Sequence, residues 1–254
     1  MNVVAYTALH YGKEYLGYAI RSVIDHVDAY YCLYTPIGSH GHRTDLPCPD
    51  TRDELCAIAQ QAAGSKLVWH EGIYPQEGAH REMIHQLAPD ADVVLVVDAD
   101  EVWGDVDGIS VAQHAIAVAI GLEARTFRVP FIHYWRSFYR QITQDPAYPI
   151  RVIVPKRPER EGYIPRLGAT IRSSIHHFGY AQRPEIVRYK LETHGHKGEF
   201  RKDVNWFEDI FMANCQYDCH PIGSEFWFPD NIDPWQLLPD FMLEHPYANL
   251  QVIE

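Results

Sequence analysis

The chain has 254 residues, 46% hydrophobic and 22% charged, which predicts one large α/β domain or at most two small ones. Its net charge of -12, without a dense Lys and Arg cluster, argues against tight binding to bulk nucleic acid. No apolar stretch has the length of a transmembrane segment and no signal-peptide pattern opens the chain, so we expect a cytoplasmic protein. The five irregularly spaced cysteines fit reduced thiols in that compartment.

The first hundred residues alternate between apolar runs and stretches of helical periodicity. The apolar runs predict β-strands at residues 3–9, 29–34, 66–71 and 92–97. Helices are predicted between them at residues 14–27, from a capping box at 51–54 to Gly64, and at 79–87. This alternation predicts a parallel sheet that binds its ligand at the carboxyl ends of the strands.

After Trp103 the alternation ends and the chain becomes more irregular. The later segments are predicted, in chain order, as a helix at 110–121, β-rich pieces at 126–135, 151–155 and 173–180, and helices from Pro184 and over 206–214. The pattern contains no internal repeat, which fits one continuous domain.

The sharpest signal is an acidic cluster directly behind the most apolar strand, in the order Val93-Val-Leu-Val-Val-Asp98-Ala-Asp100-Glu101. Carboxylates at the end of a buried strand are costly unless they meet water, a cation or hydrogen-bond donors. On an extended backbone Asp98 and Asp100 point the same way, and two such carboxylates can hold Mg²⁺ or Mn²⁺. Such an ion would stabilise a diphosphate as a leaving group. The alternative is that Asp98 caps the next element and the others are solvated turn residues.

With this cluster, the opening strand and the helix that starts at Glu14, roughly the first 105 residues resemble the nucleotide-sugar-binding half of GT-A glycosyltransferases, most closely family 2. The resemblance implies an α/β GT-A fold in a single domain, with a mostly parallel central sheet flanked by helices. Residues 1–103 would be the nucleotide-sugar-binding half and residues 104–254 the acceptor-binding half. The implied reaction moves a sugar from a nucleotide-diphosphate sugar to the hydroxyl of an unidentified glycan or small-molecule acceptor, with Mn²⁺ or Mg²⁺ and with inversion.

The resemblance also implies roles for five residues of the first half. Tyr6 and Thr7, at the end of the first strand, would lie against the nucleotide base and ribose. Asp98 of the Asp-x-Asp (DxD) motif would face the ribose or sugar and join the metal site, with Asp100 as the principal metal ligand. Arg81 would reach the donor sugar or phosphate, and a solvated charge on the helix face is an equal alternative.

Two histidine clusters lie in the second half. The stretch His176-His177-Phe-Gly resembles the His-Phe-x-Gly segments that complete the metal site in GT-A enzymes. Adjacent residues on a strand face opposite ways, so only one of the pair would bind metal; we favour His177, with His176 second. A structural, hydrogen-bonded histidine is the alternative. His194 and His196 form the second cluster, which would bind donor phosphates or form a solvated helix end.

The acidic pair Glu208-Asp209 has the form of the Glu-Asp pair that many inverting family-2 enzymes place at a helix start. In those enzymes one carboxylate deprotonates the acceptor hydroxyl, and we favour Asp209 for that role. Stabilisation of a helix N-terminus by acidic side chains is the alternative.

Three other functions compete with this interpretation. A nucleotidyltransferase also uses strand-end carboxylates and a divalent metal, but it normally shows a Gly-rich basic loop after the first strand, where this chain has only Gly12. A catalytically silent carbohydrate-binding protein would share the fold without the reaction. A metallohydrolase would need convincing histidine spacing, and only His40-x-His42 and His194-x-His196 come near it.

Overall fold

A computed structural model of the chain describes residues 1–38, 42–74, 76–104, 126–143, 148–155, 169–170, 174–193, 197–215, 220–222 and 227–250. The helix predicted at 110–121 and the histidines His40, His194 and His196 lie outside these ranges. The described strands form two β-sheets, so the protein is a mixed α/β structure. None of the described helices is long and apolar enough to cross a membrane.

The described strands are β1 (Val3–Leu9), β2 (Ala29–Tyr34), β3 (Leu67–Glu71), β4 (Val93–Val96), β5 (Glu101–Trp103), β6 (Thr126–Arg128), β7 (Phe131–Trp135), β8 (Arg140–Ile142), β9 (Ile150–Ile153), β10 (Ala169–Thr170), β11 (Ile175–Tyr180) and β12 (Pro229–Asn231). The α-helices are α1 (Lys13–Arg21), α2 (Arg52–Ala63), α3 (Glu77–Leu87) and α4 (Pro184–Thr193). Residues Trp206–Met212 form a π-helix, and 3₁₀ turns cover Ile24–His26, Gly64–Lys66, Lys197–Glu199, Pro234–Gln236 and Asp240–Glu244.

The first sheet has the order β10-β6-β9-β4-β1-β2-β3. Its strands β3, β2, β1 and β4 run parallel to one another, which confirms the arrangement predicted for the first hundred residues. The two sheets are not all parallel, however, and the second sheet was not predicted. Strand β9 runs antiparallel to both β4 and β6, and a second sheet of order β12-β8-β7-β11-β5 contains three antiparallel pairs among its described strands.

The helix boundaries follow local capping chemistry. The predicted capping box is present in α2, where the Thr51 side chain accepts from the Glu54 N–H and the Glu54 carboxylate accepts from the Thr51 N–H. Helix α1 is shorter than predicted, because it ends at Arg21. Its N-terminus is capped from a distance, since the Asp50 carboxylate accepts from the N–H groups of Gly12 and Lys13 at 2.6 and 2.9 Å.

Two apolar layers enclose the first sheet. Side chains of α1 and α2 pack on one face of β1 and its neighbours, and α3 packs on the other face. A third cluster, built from aromatic rings, joins α1 to the second sheet. In it Tyr15 and Tyr134 both stack on Phe178, each with ring centroids 4.7 Å apart, and His245 stacks on Tyr15 at 4.5 Å.

Because His245 is buried in this aromatic cluster, we expect it to make the fold less stable at low pH. The side chain is 3% exposed, and burial lowers its pKa to about 4. A histidine with a lowered folded pKa stabilises the fold above its unfolded pKa of about 6.5 and loses that contribution as pH falls. When the pH is lowered from 7.5 to 5, the free energy of unfolding should fall in both proteins, and the fall should be about 2 kcal/mol smaller in His245→Gln than in the wild type. Urea unfolding at both pH values measures the difference, and equal losses in the two proteins would contradict the prediction.

Candidate active site

A cavity of about 790 Å³ opens at the carboxyl ends of β1 and β4. Its walls come from α3, β9, β11 and α4 as well as from the segment that follows β4. The polar and charged residues that line it include Tyr6, His10, Glu77, Arg81, Asp98, Asp100, Glu101, Arg151, His177, Gln182 and Lys190. The location agrees with the rule that parallel sheets bind ligands at the carboxyl ends of their strands.

The acidic cluster forms a turn that connects the two sheets. Strand β4 ends at Val96 and β5 begins at Glu101, so Asp98 and Asp100 lie on the turn rather than on an extended strand. The Glu101 N–H donates to the Asp98 carbonyl at 3.0 Å and closes this turn. Both aspartates still line the cavity, although the alternation of a strand is not the reason.

Two arginines neutralise Asp98. Arg81 donates from Nη1 to Oδ1 at 2.8 Å and from Nη2 to Oδ2 at 3.0 Å, and Arg151 donates from Nη2 to Oδ2 at 3.0 Å. Burial raises the pKa of Asp98, but the two guanidinium groups outweigh burial and hold that pKa well below its usual range. Asp98 is therefore an ionised, fully paired carboxylate.

Arg151 also binds Glu101, which is 1% exposed. Its Nε donates to Glu101 Oε2 at 2.7 Å, so one guanidinium serves two carboxylates. Burial raises the pKa of Glu101 despite this partner. Arg151 was not predicted from the sequence. The feature that could have pointed to it is a single charged residue in an otherwise apolar strand.

Asp100 has a different set of partners. Lys190 Nζ donates to Asp100 Oδ2 at 2.9 Å, Gln182 Nε2 donates to the same oxygen at 3.3 Å, and His177 Nε2 lies 3.8 Å from it. Burial raises the pKa of Asp100, but the Lys190 ammonium lowers it, and the pKa lies below its usual value. The sequence pattern did not predict Lys190 or Gln182, because both come from α4 and its start, more than eighty residues along the chain.

The histidine pair divides as a strand requires. His177 faces the cavity, and its Nδ1 lies 2.7 Å from Nδ1 of His133 on β7. Burial lowers the pKa of His177 well below its usual value, so the ring is neutral. His176 faces the opposite side, where its Nδ1 lies 2.9 Å from the Tyr134 hydroxyl, and it does not line the cavity. The structure therefore brings His177, and not His176, to Asp100.

Tyr6 and Thr7, which were both predicted to contact the nucleotide, lie on opposite faces of β1. Tyr6 lines the cavity beside Arg81. Thr7 is fully buried on the other face of β1, where its Oγ1 donates to the Val97 carbonyl at 2.6 Å and lies 2.6 Å from the Tyr30 hydroxyl. Thr7 is not among the residues that line the cavity, and its hydrogen bonds tie it to the sheet.

The predicted base does not reach this cavity. Glu208 and Asp209 are exposed on the π-helix, and neither is among the residues that line the cavity. Asp209 Oδ2 accepts from the Asn205 N–H at 2.9 Å, which is the helix-start role that was the alternative to catalysis. Within the described ranges, no three His, Cys, Asp or Glu side chains come together in a set that would hold a metal ion.

No protein-family model and no curated protein matches the chain. Among solved structures, S. aureus TarS is similar over 52% of this chain and 22% of its own, at 12% identity and a TM-score of 0.35. HddC from Yersinia pseudotuberculosis is similar over 76% of this chain and 98% of its own, at 10% identity and a TM-score of 0.41. A UDP-glucose pyrophosphorylase from Acinetobacter baumannii is similar over 78% and 97%, at 12% identity and a TM-score of 0.38.

These similarities are weak. The chain spans 22% of the TarS chain and 47% of a TarS fragment, residues 1–349, which it matches with a TM-score of 0.37. Scores at this level carry no argument about fold or function.

Proposed function

We propose that this protein is a glycosyltransferase that moves a sugar from a nucleotide-diphosphate sugar to an acceptor hydroxyl. The observation that carries the proposal is the convergence of two aspartates with three cationic side chains in one cavity at the strand ends. Arg81, Arg151 and Lys190 supply positive charge for a diphosphate, Asp100 supplies a carboxylate for a cation, and Asp98 supplies one for sugar hydroxyls. A cavity of about 790 Å³ has the size of a site for a small organic ligand.

The donor set at Asp100 fits a hard divalent cation in part. A carboxylate oxygen and a neutral imidazole nitrogen face each other at 3.8 Å, and both are ligand types for Mn²⁺. Asp98 and His176 are less suited to bind the cation. Two arginines already bind the Asp98 carboxylate, and His176 faces away from the cavity. Asp100 and His177 would therefore hold Mn²⁺ or Mg²⁺, with donor phosphates as further ligands. When bound, that ion supplies charge to the leaving diphosphate.

The remaining side chains position the donor. Tyr6, in the middle of β1, offers a buried aromatic ring for the nucleotide. Arg81 and Arg151 hold the Asp98 carboxylate in one orientation, where it can accept hydrogen bonds from ribose or sugar hydroxyls. Positioning of this kind lowers the entropic part of the barrier to transfer.

Thermal unfolding in the presence of nucleotides tests the proposal. We expect one family of nucleoside diphosphates and nucleotide sugars to raise the Tm, and Mn²⁺ to increase the shift. A ligand at a hundred times its Kd stabilises the folded state by about 2.7 kcal/mol. The proposal fails if no nucleotide in a panel covering all bases changes the Tm with or without Mn²⁺. Release of pyrophosphate from a nucleoside triphosphate and a sugar phosphate would instead identify a nucleotidyltransferase.

A further inference from the structure

Lys190 occupies a prepared position beside Asp100. It lies on α4, its side chain is 13% exposed, and its Nζ is 5.6 Å from the centre of the Tyr180 ring as well as 2.9 Å from Asp100 Oδ2. A cation placed over an aromatic face and against a carboxylate is held from two sides. Lys190 is therefore more than a solvated helix charge.

The backbone at Gly179 leaves the space that this ammonium occupies. A Cβ at position 179 would lie 2.7 Å from Lys190 Nζ and 2.7 Å from His177 Nε2, so any larger residue would collide with both. Strand β11 is irregular at this point, between His177 and Tyr180. The ammonium, the imidazole and the Asp100 carboxylate thus surround one small volume.

The same two groups, Asp100 and His177, would hold the divalent cation of the proposed function. An ammonium bound to Asp100 competes with that cation for the same oxygen, and the two positive charges repel each other at short range. Asp98 does not reduce this repulsion, because Arg81 and Arg151 already balance its charge. A diphosphate would supply the negative charge that lets both cations remain in the cavity.

We propose that Lys190 closes the site by pairing with Asp100 when no ligand is bound, and that a nucleoside diphosphate draws its ammonium away and opens Asp100 to the divalent cation. Metal and diphosphate then bind cooperatively, each strengthening the other by the same factor. This inference rests on the proposed function, because it takes the ligand to be a diphosphate.

Titration with Mn²⁺ alone tests the competition directly. We expect Lys190→Met to bind Mn²⁺ about tenfold more tightly than the wild type or better, because the competing charge is gone. Adding Asp100→Asn to Lys190→Met should abolish the binding and so locate the ion. Lys202→Met, which removes an exposed lysine, is the matched control and should bind Mn²⁺ as the wild type does. Electron paramagnetic resonance of free Mn²⁺ measures the Kd, and circular dichroism checks the fold of each variant.

Equal or weaker Mn²⁺ binding by a folded Lys190→Met would overturn the inference. If that variant does not fold, the test is made on the wild type. Inorganic phosphate should tighten Mn²⁺ binding by the wild type, after correction for Mn²⁺ bound to free phosphate. An unchanged Kd for Mn²⁺ would reject the cooperative binding of metal and phosphate. Failure of the nucleotide panel with tighter Mn²⁺ binding by Lys190→Met would reject the proposed function alone. A positive panel with unchanged Mn²⁺ binding would reject only the role of Lys190.

Discussion

Under the proposed function, Asp100→Asn will lower kcat/KM for sugar transfer by about two to three orders of magnitude and remove the expected effect of Mn²⁺ on nucleotide binding. Asparagine has the shape of aspartate and can still accept from Lys190, but it lacks the charge that a divalent cation needs. The nucleotide that raises the Tm most is the substrate for this test, and release of the nucleoside diphosphate reports turnover.

Two variants make the result specific to Asp100. Asp90→Asn changes an exposed turn residue and should leave both readouts unchanged. Asp98→Asn removes the carboxylate that the arginines hold, so it should weaken nucleotide binding while Mn²⁺ keeps its effect. If Mn²⁺ still affects nucleotide binding in Asp100→Asn and no longer does so in Asp98→Asn, then Asp98, and not Asp100, is the metal ligand.

Arg151→Met will lower the free energy of unfolding by about 3–5 kcal/mol, the usual cost of removing one partner from a buried ion pair. The substitution leaves Glu101 buried without its guanidinium partner, whereas Asp98 keeps Arg81. Burial already raises the pKa of Glu101, so this carboxylate gains a proton more readily than usual as the pH falls. The deficit in stability should therefore be smaller at pH 5 than at pH 8.

A double-mutant cycle separates the ion pair from the packing of the Arg151 side chain. Glu101→Gln in the Arg151→Met background removes the unpaired charge and should restore part of the lost free energy. Urea unfolding of the wild type, the two single variants and the double variant measures the coupling. A coupling below about 0.5 kcal/mol would show that Arg151 acts through packing alone.

The sequence predicted the parts of the fold that depend on local pattern. The four parallel strands and the capping box at Thr51 follow from apolar runs and from side-chain chemistry within a few residues. The second sheet was not predicted, because its strands are short and carry no distinctive period, and its pairs other than β7–β8 join segments that are far apart in the chain. Pairing at long range depends on the whole fold and leaves little trace in any one segment.

The candidate site shows the same division. Asp98, Asp100 and His177 stood out because each belongs to a local motif, and the structure brings them to one cavity. Lys190 and Arg151 carry no motif, and only tertiary contacts reveal them. Local pattern is ambiguous where two physical roles share one signature. Acidic residues at a helix start serve both capping and catalysis, and Asp209 accepts from the N–H of the N-cap residue Asn205. Thr7 was nominated by its place in the chain, although Tyr6 and Thr7 must face opposite sides of a strand.

The residue between the two aspartates, Ala99, sits against the backbone of Gly12. Gly12 has a φ of 131°, and a Cβ there would lie 2.6 Å from the Cβ of Ala99. Both the backbone conformation and the contact with Ala99 therefore require glycine at position 12. Anyone who redesigns this cavity for a new ligand must therefore keep a glycine at position 12, because the Asp-x-Asp turn leaves no room for a side chain there.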